Sequence, residues 1–229
     1  MKRGKLIVLD GSDGSGKATQ TRFLLARLKK EGYRVKTLDF PQYEANFFGK
    51  LIGKCLAGEY GDFIGIDPHI ASVLYAADRF ESKEVIEKWL KAGYMVVLDR
   101  YVSANQIHQG GKVHEVKKQR EFLQWLDQLE HAVFGIPRPD RIIYLDVPVA
   151  VAQKLLANEN TKKTKVYLGK QQKDLAESNP HHLMESRANA LKLVKKLNQW
   201  TKIDCTKKGE MLSRETIAEK VWQVVEKIV

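Results

Sequence analysis

Runs of four to six apolar residues alternate along the chain with stretches in which apolar positions recur every three to four residues. The short runs read as strands and the longer-period stretches as helices, so the pattern predicts β and α elements alternating around a parallel sheet. The first strand is predicted over 5–10. A glycine-rich segment comes next, then a helix over 17–31 that stops at Gly32, a natural C-terminal cap. A second strand over 33–39 ends at Phe40-Pro41, and helices are expected over 45–56, 68–80 and 82–92. Asp67 is placed to cap the middle one and Pro68 to occupy its first position. Residues 94–99 read as a central strand, apolar on both faces and covered on each side by helices. Helices over 103–109 and 115–132, a strand over 141–146 and a helix over 149–157 come next. A polar, lysine-rich segment over 158–173 has no apolar periodicity. A helix over 180–200, a short strand over 202–205 and a helix over 214–228 capped by Ser213 complete the chain. The expected class is α/β: one domain, residues 1–229, with five strands flanked by helices and a small mobile lid near 157–173.

Composition narrows the function classes. Of 229 residues, 43% are hydrophobic and 29% charged, which is ordinary globular material. The longest apolar runs, 73–77 and 94–98, are five residues, against about 20 for a membrane span, so no transmembrane helix is expected. The basic start is followed by only a short apolar run, 6–9, which is no secretory signal, and a cytoplasmic protein is expected. Cys55 and Cys205 form no CxxC and suggest buried, reduced thiols rather than a disulfide framework or a zinc site. Thirty-nine Lys and Arg against 28 Asp and Glu give a net charge of +11, which favours anionic partners: nucleotides, nucleic acid or other phosphates. Many of the lysines fall in 162–173 and 192–208, as a solvated basic face or a nucleic-acid surface.

The strongest chemical signal is Gly11-Ser12-Asp13-Gly14-Ser15-Gly16-Lys17-Ala18, a G-x-x-x-x-G-K pattern between a predicted strand and a predicted helix. Backbone N–H groups of such a loop wrap phosphate oxygens, the helix N-terminus adds partial positive charge, and Lys17 reaches the terminal phosphates. The ATP-binding candidates are these eight residues and Thr19. Ala18 stands where a Ser or Thr hydroxyl normally meets Mg²⁺, and Thr19 is turned about 100° away around the helix. Asp99-Arg100-Tyr101 ends a strand at the same sheet edge, where ligands of open α/β sheets bind. Tyr75 and Arg79, four residues apart, share a helix face; taken alone they read as a core aromatic and a surface ion-pair partner, and they also suit stacking on a base and donating to its edge. Asn105 offers both a donor and an acceptor, which suits the edge of a base.

Asp13, Phe40-Pro41-Gln42-Tyr43, Tyr75-Ala76-Ala77-Asp78-Arg79, Asp99-Arg100-Tyr101, Asn105, and Asp174 with Glu177 together resemble the thymidylate kinase family, from the first strand to at least Arg187. The resemblance implies a P-loop nucleoside monophosphate kinase fold, transfer of the ATP γ-phosphoryl group to dTMP, Mg²⁺ as cofactor, and a homodimer. It implies Lys17, Asp99 and Arg100 as catalytic residues, and Asp99 with Asp174 on the metal. It places Asp13, Phe40, Gln42, Tyr43, Tyr75, Arg79, Arg100, Asn105 and Gln109 around dTMP. Phe47, Phe48, Leu51 and Ile52 fit a dimer face and equally fit a core. Three positions depart from the family pattern: Ala18; Gln42, where many relatives place arginine; and a lid whose only cations are lysines, which lack the bidentate fork of arginine. Three other readings stay open on sequence alone: a kinase for another deoxynucleotide or a deoxynucleoside, a catalytically weak nucleotide binder, and a basic nucleic-acid-binding protein.

Overall fold

Successive side chains of a strand point to opposite faces, and in the first strand both faces are apolar. In the computed structural model, which describes residues 2–158, 168, 174–176 and 179–229, β1 (Leu6–Gly11) sends Leu6 and Val8 into one core and Ile7 and Leu9 into another. All four are fully buried, each worth about 1.5–3 kcal/mol relative to exposure. The next elements are α1 (Lys17–Lys30), β2 (Val35–Asp39), α2 (Phe47–Leu56), α3 (Pro68–Glu81), α4 (Lys83–Lys91) and β3 (Met95–Asp99). Then come α5 (Val102–Ala104), α6 (Val116–Asp127), β4 (Arg141–Asp146), α7 (Val149–Asn158), α8 (Pro180–Lys196), β5 (Trp200–Asp204), a hairpin of β6 (Thr206–Lys207) and β7 (Glu210–Met211), and α9 (Arg214–Val225). Strands β1 to β5 form one parallel sheet in the order β2-β3-β1-β4-β5. Helices α1 and α9 cover one face, and α4 and α8 the other.

The five-stranded parallel sheet and its flanking helices agree with the pattern read from sequence. The differences are local. The helix expected over 180–200 ends at Lys196: Leu197 is extended, and Trp200 is buried at the start of β5, paired with Ile142. The expected helix over 103–109 is a short α-helical turn that widens into a π-turn over Asn105–Gln109, and that over 115–132 becomes a π-turn over Gln128–Val133. The β6–β7 hairpin, turned by Lys208 and Gly209 with positive φ, was not expected. Except for Ala157 and Asn158 at the end of α7, and Leu168, the anticipated lid lies outside the described residues, as does Glu177. Cys55 and Cys205 are buried and unlinked.

A third core under α2 and α3, with Ile52, Cys55, Leu56, Phe63 and Ala71, holds those helices beside the sheet edge. Asp78 ties this layer to the segment after β2. Its carboxylate accepts from the backbone N of Gln42 at 3.2 and 3.3 Å and from Asn46 Nδ2 at 3.0 Å. Gly49 is required at the same junction, because a Cβ there would stand 2.1 Å from the Gln42 carbonyl. Glu81 finishes the joint by accepting from the backbone N–H groups of Phe47 and Phe48, which begin α2.

Burial pushes the Asp78 carboxyl up to about 6 against the lowering effect of Asn46 and Gln42. A carboxyl raised on folding opposes stability while ionised, so this cost, about 3 kcal/mol at neutral pH, is relieved as pH falls through 6 towards 4. Urea unfolding of the wild type and Asp78→Asn at pH 7 and pH 5 checks this: the difference should shift in favour of the wild type at pH 5. A pH-independent difference would contradict it.

Candidate active site

Strand β1 lies between β3 and β4, so the loop leaving its carboxyl end sits at the centre of the sheet edge. Gly11, Gly14 and Gly16 have positive φ in the loop from β1 to α1, and a Cβ on Gly11 would meet Ser15 Oγ at 2.7 Å and the Leu145 carbonyl at 2.8 Å. Lys17 Nζ donates to the carbonyls of Gly11 and Ser12, both at 3.0 Å, closing the loop on itself. The hydroxyls of Ser12, Ser15 and Thr21 are buried without a hydrogen-bond partner. A loop of glycines, a lysine and unpaired buried hydroxyls at a helix N-terminus is a cradle for phosphate oxygens. Ala18 and Thr19 lie just beyond it on the first turn of α1; Ala18 is exposed, and Thr19 Oγ1 faces Arg22 at 3.5 Å.

Register places Asp99 opposite both Leu9 and Asp39, with Arg100 immediately after. Arg100 adopts φ 63°, a left-handed conformation uncommon outside glycine and found at functional positions. Its Nη2 donates to Asp13 Oδ1 at 2.7 Å, and the same oxygen lies 3.5 Å from Lys17 Nζ. One carboxylate thus holds the phosphate-loop lysine and the strand-end arginine together. Nη1 of Arg100 donates to His108 Nε2 at 3.0 Å, so the ring proton is on Nδ1, which lies 3.0 Å from Ser186 Oγ. Burial and then the Arg100 charge hold His108 well below the ordinary histidine range, in its neutral form. Burial would lower Arg100 too, but Asp13, Asp10 and Asp99 outweigh it and raise it well above its ordinary value. Tyr43 also bears on the Arg100 charge.

The acceptor-side candidates fall into two groups. Tyr75 packs near Phe63, with ring centroids 6.0 Å apart, and burial raises its hydroxyl, with Asp174, Arg100 and Arg79 among its charged neighbours. Arg79 and Asn105 meet on Glu130: Arg79 Nε and Nη2 donate to its two carboxylate oxygens at 2.8 and 2.6 Å, and Asn105 Nδ2 donates to Oε1 at 2.9 Å. Gln109 is buried on the same π-turn as Asn105, its Oε1 unpaired. Asn189 of α8 braces this turn by donating to the carbonyls of Gln106 and Ile107.

The remaining candidates have contacts of their own. Phe40, on the cis Phe40–Pro41 bond, belongs to the core, its ring 5.7 Å from that of Tyr101. The Gln42 side chain lies on Asp39, bonding its carbonyl and, at 3.2 Å, its carboxylate. Asp174 is buried, accepts from Ala176 N at 2.8 Å, and bears on Tyr75 and His182. Asp99 instead has Lys17, Arg100, Asp10 and Asp39 as its charged surroundings. No cluster of three or more acidic, His or Cys side chains that could hold a metal occurs among the described residues.

Sequence reading missed His108, Ser186, Asn189 and Glu130. Only Glu130 carried a legible signal: on its helix Phe122, Leu126 and Glu130 recur at four-residue spacing, which puts a carboxylate on the buried stripe.

A family model described as thymidylate kinase matches residues 9–216. The thymidylate kinase of Mycobacterium tuberculosis is 31% identical over 147 residues, 64% of this chain and 68% of that protein. The thymidylate kinase of Plasmodium falciparum is 29% identical over 219 residues, 95% of this chain and 90% of that protein. The solved thymidylate kinase of Candida albicans shares the fold, with a TM-score of 0.72 at 21% identity over 98% of this chain and 92% of that one. With the phosphate loop, Asp99-Arg100 and the Tyr75–Arg79 helix gathered at one sheet edge, and a family match over most of its length, the chain belongs to the thymidylate kinase family.

Proposed function

We propose that this enzyme transfers the γ-phosphoryl group of ATP to dTMP, giving dTDP and ADP. The observation that carries the reading is the Asp13 oxygen shared by Lys17 and Arg100. It fixes the cation of the nucleotide loop beside the cation suited to an acceptor phosphate. Phosphoryl transfer needs little covalent help from a protein; it needs two anionic reactants aligned and their charge neutralised. In this reading Gly11 to Lys17 hold the donor phosphates, Arg100, kept in place by Asp13 and neutral His108, aligns the acceptor phosphate, and Tyr75, Arg79 and Asn105 take the base. The acceptor phosphate is already an anion at neutral pH, so no general base is assigned. Gln42 adds no charge, and its contact with Asp39 supports a role in shaping the loop.

The residues at the loop fit a divalent cation brought by the nucleotide. Asp99 is buried enough that its carboxyl is raised, and Asp10 and Asp39 crowd it with further negative charge despite Lys17 and Arg100. Asp99 would face such an ion in place of the hydroxyl that Ala18 lacks, since Mg²⁺ keeps several waters and few protein ligands. Bound Mg²⁺ would neutralise the β- and γ-phosphates.

Phe47 at 70% exposure, with Phe48 and Leu51 half-buried near it on α2, supports a homodimer, whereas Ile52 is core. The mass in solution checks this: Phe47→Lys should give monomers from a wild-type dimer, and a monomeric wild type would contradict it. No helix among the described residues is long and apolar enough to cross a membrane. A cytoplasmic site of action accords with the two unlinked cysteines. The net charge of +11 matches anionic substrates without requiring nucleic acid.

The test is coupled turnover with ATP and Mg²⁺ over dTMP, dCMP, dGMP, dAMP and thymidine. dTMP should be the best acceptor, dCMP should fall by at least about tenfold in kcat/KM, and a chelator should stop the reaction. A faster acceptor without thymine, or no turnover of dTMP, would overturn the reading.

A further inference from the structure

Glu130 is 2% exposed, as is Arg79, and nothing in the chemistry of phosphoryl transfer calls for a carboxylate there. A buried Arg–Glu pair on its own is an ordinary structural anchor, and one that seldom stabilises more than apolar residues would. The third member of the cluster distinguishes this one. Asn105 Nδ2 has two hydrogens, and both are engaged: one by the Ser72 carbonyl at 3.1 Å, the other by Glu130 Oε1 at 2.9 Å. Both partners accept only, so the amide cannot be flipped without setting its oxygen against two others. The atom of Asn105 left for a ligand is therefore its oxygen. In Arg79, Nε and Nη2 are held by the same carboxylate, which leaves Nη1 as the guanidinium nitrogen that Glu130 does not engage.

We propose that Glu130 is the specificity-determining positioning residue of this enzyme: by holding Arg79 and Asn105 at once, it presents a fixed acceptor beside a fixed donor. The complement of that edge is a base with an N–H next to a carbonyl. Thymine offers this at N3 and C4; cytosine offers the reverse, an unprotonated nitrogen next to an amino group. With Asn105 free to turn, an asparagine reads either pattern equally well. With Glu130 in place it reads only one, and the wrong base leaves buried polar groups facing like groups. Two π-turns build the arrangement. Asn105 opens the turn over Asn105–Gln109 and Glu130 lies within that over Gln128–Val133, and such interruptions are frequent at functional sites. Both elements contact α3, which carries Ser72 and Arg79.

This inference rests on the reading of Tyr75, Arg79 and Asn105 as the base site, and the experiment separates the two. The ratio of kcat/KM for dTMP over dCMP is measured for the wild type, Glu130→Gln and Glu130→Asp, with thermal melting alongside. Glutamine keeps the size but can donate as well as accept, so it releases the constraint on Asn105. The ratio should fall by at least about tenfold in Glu130→Gln, through the KM for dTMP and not that for ATP, and recover in part in Glu130→Asp, where the acceptor-only carboxylate returns. A folded Glu130→Gln enzyme with the wild-type ratio overturns the role of Glu130 and leaves the base site standing; a wild type that does not prefer dTMP overturns the base site itself. Should neither variant fold, the side-chain amide signals of wild-type Asn105 decide by NMR. Both Nδ2 protons should already be hydrogen-bonded and keep their shifts on adding dTMP. A new hydrogen bond from either proton to the ligand would overturn the proposal.

Discussion

The Asp13 oxygen that faces both Lys17 and Arg100 is the contact on which the arrangement of this enzyme depends. Lys17 comes from the loop after β1 and Arg100 from the end of the neighbouring β3, so each is placed by backbone geometry alone to within the reach of a long side chain. Two flexible cations near each other repel and would spread into solvent. A carboxylate between them turns repulsion into a shared ion pair and sets their separation. Substrate phosphates then meet charge that is already ordered, which is how a site built on electrostatics avoids reorganising during the reaction.

The same device recurs away from the phosphates. Glu130 orders Arg79 and Asn105, Asp78 orders the segment after β2, and Asp10, fully buried, takes Gly11 N and Ser103 Oγ beneath the phosphate loop. Each of these carboxylates accepts from at least one donor on another part of the chain, so each joins parts that the sheet alone does not align. These organising carboxylates, Asp10, Asp78 and Glu130, are buried, while the lysines of 192–208 lie on α8 and on the elements after it, exposed or half-buried.

The sheet and the phosphate loop were legible in the sequence because each depends on local pattern. Apolar runs covered on both faces mark β1, β3 and β4, and the glycines mark the turn after β1. The π-turns were not legible: an extra residue in a helical turn leaves the apolar spacing almost unchanged over so short a stretch, and the contacts that brace the first of them are tertiary, Asn189 of α8 donating to the Gln106 and Ile107 carbonyls. Trp200 was misplaced for a related reason, since a bulky apolar residue at the end of a helical pattern fits either a helix or a buried strand and only pairing with Ile142 decides. The roles of Gln42 and Phe40 were blurred because motif spacing fixes a position in the chain but not the direction of a side chain. Glu130 could have been found from its place on the buried stripe of its own helix, but its partners, 51 and 25 residues away in sequence, could not.

The central claim is that the base is recognised by an edge of fixed polarity, with Asn105 accepting and Arg79 donating. Calorimetry of dTMP against its N3-methyl derivative tests it most directly, because the methyl group removes the one hydrogen that the Asn105 oxygen can accept and changes nothing at the phosphate. The account predicts that the methylated nucleotide binds at least about tenfold more weakly, the scale of a buried acceptor left unpaired. Equal affinities would contradict it.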